Sequence, residues 1–268
     1  MNTVFLLKLL LVPILIWLVT LAGRRWGPGV AGWLSAFPIV AGPILLVLTL
    51  EQGPGFAADA AGGTLLAVVA ILVFSVAYAW ASVRFGVAGS MALALLAWGM
   101  AVAALQLLSL PLAAAFVLVW CALFGAARLL PTALPAAAAG AVTDGPCRSD
   151  LPWRMLAGAV LVFAVTTGAA GLGARLSGFF AMFPVMGTVL VGFAHAGLGR
   201  GNAVALLRGM VTGYFGFSVF CAMLAMQLRI GSVAPAFALA LGCALAVHLA
   251  ARRLSGAGVA APVAATKA

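Results

Sequence analysis

Acidic residues are almost missing from this chain: four Asp and Glu in 268 residues, beside fourteen Lys and Arg. Charged residues make up 7% of the total, against roughly 25% in a soluble globular domain. So sparse a set cannot solvate the surface of a globule of this size. A soluble enzyme, a nucleic-acid binder and a disordered protein are excluded together. The four cysteines, Cys121, Cys147, Cys221 and Cys243, show no C-x-x-C spacing, so neither a disulfide framework nor a metal site is indicated. No H-E-x-x-H, no paired aspartates and no phosphate-cradling Gly-x-x-x-x-Gly-Lys is present, and no cofactor is expected. With so few carboxylates, none of them mid-span, acid–base catalysis inside a membrane lacks its reagents, and the chain is not expected to be an enzyme.

What is abundant is apolar sequence. Hydrophobic residues reach 66% and the mean hydropathy is +1.27. The apolar runs are long and continuous, which points to transmembrane helices. A transmembrane barrel would show alternating segments of ~10 residues instead. The expected class is an all-α integral membrane protein. Nine stretches are long enough to span: roughly 4–22, 30–50, 63–82, 88–108, 112–129, 153–173, 178–197, 204–228 and 232–251. The longest polar connection is 131–152, and residues 255–268 form a small-residue tail expected to be disordered and cytoplasmic. Residues 1–22 resemble a signal peptide at first sight. Their apolar core is too long, Lys8 lies inside it and no A-x-A-like site follows, so they read as the first span.

A formal net charge of +10 would point to nucleic acid in a soluble protein. In a membrane protein, basic residues collect in cytoplasmic loops, where they set orientation and meet anionic lipid. With nine spans and the N-terminus outside, eleven of the fourteen basic residues fall on the cytoplasmic side. Only Lys8, Arg175 and Arg229 fall outside. The bias supports an N-out, C-in arrangement in an inner membrane.

The dipeptide Phe-Pro occurs twice, at Phe37-Pro38 and Phe183-Pro184. Superposing one on the other places Gly27 on Gly173, Gly32 on Gly178, Gly53 on Gly199, Gly55 on Gly201 and Gly63 on Gly209. Spans 1–4 then correspond to spans 6–9, and span 5 inverts the second unit. The expected organisation is therefore 1–108 as the first membrane repeat, 109–130 as a linking helix, 131–152 as a cytoplasmic loop and 153–254 as the second repeat. Such a 4+1+4 inverted repeat is the plan of many secondary transporters, whose substrates bind near the midplane between the units.

Each unit carries Gly-x-x-x-x-Phe-Pro inside an apolar run. Proline lacks an N–H and clashes with the carbonyl one turn back, so a break and a freed carbonyl are expected at each place. Freed backbone groups are tolerated in a bilayer where protein or a cavity satisfies them. The expected substrate pathway is accordingly Phe37, Pro38, Gly42 and Pro43 in span 2, with Phe183, Pro184 and Thr188 in span 7. Three polar residues join that set. Glu51 is the one carboxylate adjoining a span and the expected carrier of any proton coupling. His195 lies at the inner end of span 7 and reads equally as an interface residue. Arg208, near the start of span 8, reads as an anion contact or as a snorkelling side chain. Span 8 also contains Gly209-x-x-x-Gly213, which admits a close helix neighbour. His248 reads as interfacial.

The Gly-x-x-x-x-Phe-Pro pattern followed by an apolar run resembles that of small bacterial membrane proteins of the GlpM type, over about residues 27–50 and 173–197. The resemblance implies a duplicated and inverted form of such a unit and names no substrate. The general plan is also similar to that of drug/metabolite transporters, which typically have ten helices in a five-plus-five repeat. The expected function is a secondary transporter or permease for a small apolar or weakly polar solute, with membrane lipid and that solute as partners and no nucleic acid. The alternatives are a non-transporting component of envelope or exopolysaccharide assembly, and an intramembrane hydrolase using Ser218 and His248.

Overall fold

The apolar runs fold into helices. A computed structural model describes residues 3–131, 150–170 and 183–256, and no strand occurs among the described residues. Among the described residues six helices are long and apolar enough to cross a bilayer. They are α1 (Thr3–Trp26), α4 (Pro54–Ala81), α5 (Val87–Gln106), α6 (Leu112–Leu129), α9 (Arg200–Ile230) and α10 (Val233–Gly256). Helices also stand at the places of the remaining expected spans. Span 2 is α2 (Pro28–Ser35) plus α3 (Ala41–Gln52), span 6 is α7 (Leu151–Ala170), and the described part of span 7 is a π-helical turn (Gly187–Val191) leading into α8 (Gly192–Leu198). The protein is a multi-pass helical membrane protein. Gly173, Gly178 with Phe179-Phe180, nearly all of the 131–152 loop and almost all of the tail lie outside the described residues.

One expected boundary is corrected. The stretch from Glu51 to Gly62 reads as a loop, but the chain is already helical from Pro54. The joint is a single residue, Gly53, at φ 90° and ψ 162°. That conformation is open to glycine and strained for other residues. Proline then starts α4 at the one helical position where its missing N–H costs nothing. Gly199 makes the same joint before α9, at φ 81° and ψ 172°. Both glycines donate their N–H to the residue four back, Thr49 and His195 respectively, and accept from Ala57 and Ala203.

The two long helices that follow these joints form the centre. About half of α4 and of α9 is buried, against a third or less of the other long helices. Phe74, Tyr78, Leu207, Met210, Phe220 and Leu224 are fully enclosed between them and their neighbours. Helix α5 packs on α4, α10 on α9, and α6 touches both; α2 packs on α9, and α1 on α2 and α7. The closest of these approaches is α2 on α9. A Cβ at Gly32 would run into the Leu206 carbonyl, and one at Gly209 into the Gly29 carbonyl. The Gly209-x-x-x-Gly213 stripe thus brings two backbones into contact, as small residues allow in a bilayer.

Polar contacts tie helix ends together in two sets. At one end Asp150, just before α7, takes Arg154 at 2.7 Å and Arg24 of α1 at 3.4 Å. There too Trp80 donates to the Leu129 carbonyl (2.9 Å), and Arg200 donates to Ser82 (3.2 Å). At the other end Asp59 of α4 pairs with Arg229 of α9.

Candidate functional site

The first Phe-Pro dipeptide breaks span 2 as the sequence predicts. Helix α2 stops at Ser35, whose hydroxyl donates back to the Gly32 carbonyl at 2.7 Å. The N–H of Phe37 donates to Leu34 (3.1 Å), that of Ile39 to Phe37 (2.7 Å) and that of Gly42 to Pro38 (2.9 Å), which opens α3. At the second dipeptide the N–H of Val185 donates to Phe183 (2.7 Å) and that of Thr188 to Pro184 (2.7 Å). The same turn therefore follows both prolines. Pro38 and Pro184 are buried, and Phe37 and Phe183 are half-buried.

One detail departs from expectation. The carbonyl one turn before Pro38, that of Leu34, is not free; the tight turn supplies Phe37 N–H in place of the missing donor. A bare carbonyl is thus not the feature of the first break. The equivalent position before Pro184 lies outside the described residues.

Each Phe-Pro phenylalanine packs edge-on against an aromatic ring from the far half of the chain. Phe37 meets His248 of α10, with centroids 5.1 Å apart and planes at 63°. Phe183 meets Trp98 of α5, again at 5.1 Å, with planes at 72°. Beyond the second break, Gly187 lies against Phe74 so closely that a Cβ would stand 3.0 Å from the ring. Gly42, beyond the first, lies near Phe220. Pro43 sits in the first turn of α3, where proline is tolerated.

Beside the second break is a cleft of about 540 Å³ between α5, α7 and the π-helical turn with α8. Val87, Met91, Ala157, Leu161, Thr188 and Phe193 are among its walls. The lining is apolar but for Thr188, whose hydroxyl is spent on the Pro184 carbonyl at 2.9 Å. Arg154 lies over the Phe193 ring at 5.2 Å and is held by Asp150 through two bonds of 3.0 and 2.7 Å. Such a cleft suits an apolar molecule and offers few hydrogen bonds.

The polar candidates are scattered. Glu51 is exposed in the last turn of α3, without a hydrogen bond or ion pair among the described residues. His195 is half-buried; its Nδ1 is 2.9 Å from the hydroxyl of Tyr78, a fully buried residue. Arg208 donates to the Pro131 and Leu130 carbonyls at 2.8 and 2.9 Å, so it fastens the C-terminal end of α6. Those bonds account for its place without an anion. Ser218 donates to Phe215 (2.8 Å) and accepts from Trp120 (3.2 Å), while the imidazole of His248 bonds Gly213. The serine and the histidine are not joined to one another.

Sequence reasoning underrated His248. It is 1% exposed, stacked on Trp33 with centroids 4.2 Å apart, and its backbone carbonyl accepts the Trp33 indole N–H at 3.1 Å. No signal along the chain links residues so far apart. A lone histidine near a helix end reads as interfacial until its partner is placed. Scans of protein-family models, curated proteins and solved structures found nothing that matches this chain.

Proposed function

We propose that the protein is a secondary transporter or permease for a small apolar or weakly polar solute. In this reading it crosses a bacterial inner membrane nine times, N-terminus outside and C-terminus in the cytoplasm, as a 4+1+4 inverted repeat. The observation that carries the reading is the pair of Phe-Pro turns. They share their hydrogen-bond pattern, the burial of their prolines and an edge-on aromatic partner from the other half of the chain. Two broken spans in equivalent places of two halves are the mark of a transporter site.

Three further features favour it. The Gly53 and Gly199 joints fall at the same repeat position, as do the first residues of α5 and α10, Val87 and Val233. The central pair α4 and α9 are themselves repeat mates, so a pseudo-twofold axis would run between them. The end contacts agree with the crossing parity: Arg24 with Asp150 on the cytoplasmic side, Asp59 with Arg229 on the outer side. The cleft beside Thr188 supplies the apolar part of the pathway, and the Phe183-Pro184 break supplies the joint that would open it.

The experiment is counterflow in proteoliposomes. Purified protein is reconstituted and screened against a panel of small neutral metabolites chosen by thermal stabilisation. Saturable exchange of at least one stabilising compound is expected, weakened when Thr188 is replaced by Leu to fill the cleft. Stabilisation without exchange by any compound would sink the transport reading and leave a non-transporting membrane component.

A further inference from the structure

The imidazole of His248 has one nitrogen accounted for and one left over. Its Nδ1 lies 3.1 Å from the Gly213 carbonyl of α9. A carbonyl only accepts, so Nδ1 carries the proton and the neutral ring presents Nε2 as a bare lone pair. That atom is fully enclosed and has no hydrogen-bond partner among the described residues. Buried polar groups without partners are rare in folded proteins and call for an explanation. Inside a bilayer the cost is greater, because no water reaches the group.

The surroundings of the ring are built to hold it. Trp33 stacks on one side and Phe37 packs edge-on. Gly213 and Gly216 leave no room behind it: a Cβ at Gly213 would stand 3.0 Å from Cε1, and one at Gly216 2.7 Å from the His248 Cβ. Phe37 belongs to the α2–α3 break. The corresponding partner at the second break is Trp98, which has no basic nitrogen. The turn after the proline is shared, and of the two rings that meet the phenylalanines His248 is the basic one.

We propose that Nε2 of His248 is a proton-binding site, and that uptake of a proton frees the α2–α3 break from α10. The ligand is a proton from the aqueous phase, taken by the Nε2 lone pair to give an imidazolium with two ring N–H donors. The closed arrangement has an acceptor for one of these. The second needs water or another acceptor, which the closed packing around the ring does not supply. Proton binding and closure therefore exclude one another, and acid shifts the population towards the open break. The charged group beside the ring acts in the same sense. Arg252 of α10 lies over Trp33 at 4.5 Å, and its charge repels an imidazolium held closed. Trp33 of α2, Phe37 of the break, and Gly213 and Gly216 of α9 face the ring and bring no charge. Arg208 of α9 is bound to carbonyls after α6, and Glu51 stands exposed at the end of α3 away from the break. The role of this proton in driving transport rests on the function proposed above; its binding does not.

The test needs no solute. The full chain is placed in lipid nanodiscs with 15N-labelled histidine and titrated from about pH 8 to about pH 5, the range over which an accessible histidine changes charge. The chain has two histidines, and His195→Gln assigns the signals. Expected at high pH is a neutral His248 with its proton on Nδ1. Expected at low pH is an imidazolium, with deuterium uptake over residues 33–43 raised several-fold beyond the intrinsic pH effect. His248→Asn keeps a donor for Gly213 and His248→Phe keeps the ring, so at least one of them should fold. A folded variant should show no acid-induced rise. A His248 that stays neutral throughout, or one that titrates while uptake over 33–43 is unchanged, overturns the proposal. A failed counterflow assay is a separate result and bears on the transport reading alone.

Discussion

Trp33 and His248 are joined twice over: their rings stack at 4.2 Å, and the indole N–H donates to the histidine carbonyl at 3.1 Å. The two residues belong to α2 and α10, so this contact fastens the short helix before the first Phe-Pro break to the last described helix. An eight-residue helix cannot hold itself by backbone hydrogen bonds alone. Its place depends on such anchors and on the backbone contact with α9.

Trp33→Phe separates the two parts of the anchor. Phenylalanine keeps a ring to stack and loses the N–H. The expected loss is about 1 kcal/mol, the net worth of one buried hydrogen bond, with a further penalty if the carbonyl stays dry. Unfolding in detergent measures it. Trp153→Phe is the control, because Trp153 is exposed and should change stability little. Equal effects at both positions would contradict the anchoring role.

The α2–α9 contact can be probed at Gly209. Alanine there would drive a Cβ into the Gly29 carbonyl. Backbone atoms cannot swing aside, so a shift of the whole helix is required. A loss of about 1–3 kcal/mol is expected, the usual range for overpacking. Gly242→Ala in α10 meets nothing within 4 Å and should be neutral or stabilising by up to about 1 kcal/mol, since alanine favours the helix. The order of the two variants in a thermal melt decides the point.

The crossing parity has its own check. Single cysteines are placed at Asp59, Arg229, Arg24 and Arg252 in a background without the native cysteines. A membrane-impermeant maleimide applied to the outside of intact cells should label the first two positions and spare the others. Labelling of Asp59→Cys and Arg24→Cys from the same side would remove the nine-crossing arrangement, and the inversion with it.

Much of the fold is legible along the chain because lipid simplifies the problem. Continuous apolar runs have to be helices, and the charges gather towards the ends of those helices. The breaks at Phe37-Pro38 and Phe183-Pro184 follow from proline chemistry alone. The errors come from residues whose role depends on a distant neighbour. Gly-Pro-Gly at 53–55 reads as a loop, yet one positive-φ glycine is enough to turn the chain and proline then starts the next helix. Arg208 reads as a snorkelling side chain or an anion contact, because the carbonyls it holds belong to the end of α6, far away in sequence. The Leu34 carbonyl reads as free because a tight turn can replace a missing helical donor from the adjacent residue. His248 is the largest case. Its burial, its stacking partner and its unpaired nitrogen arise only when α2, α9 and α10 meet.

The two prolines give the most direct test of whether the breaks serve function or packing. In Pro38→Ala the new N–H can extend α2 through the turn, and the backbone cost of losing a proline in the unfolded chain is small. Stability is expected to stay within about 1 kcal/mol of the parent. The same holds for Pro184→Ala, where the turn after the proline has the same hydrogen bonds. If the breaks were packing devices, both variants would keep full counterflow activity. If they are the joints of a transport pathway, both should keep their fold and lose most of their exchange, because a continuous helix cannot rearrange at that point. Symmetry adds a stricter demand. The first break contacts α10 through His248 and the second contacts α5 through Trp98, so the two variants should arrest the protein in opposite states. Maleimide accessibility of a cysteine at Thr188, beside the cleft, should rise in one variant and fall in the other. Parallel changes in both would mean that the matching turns do not act as a matched pair of gates.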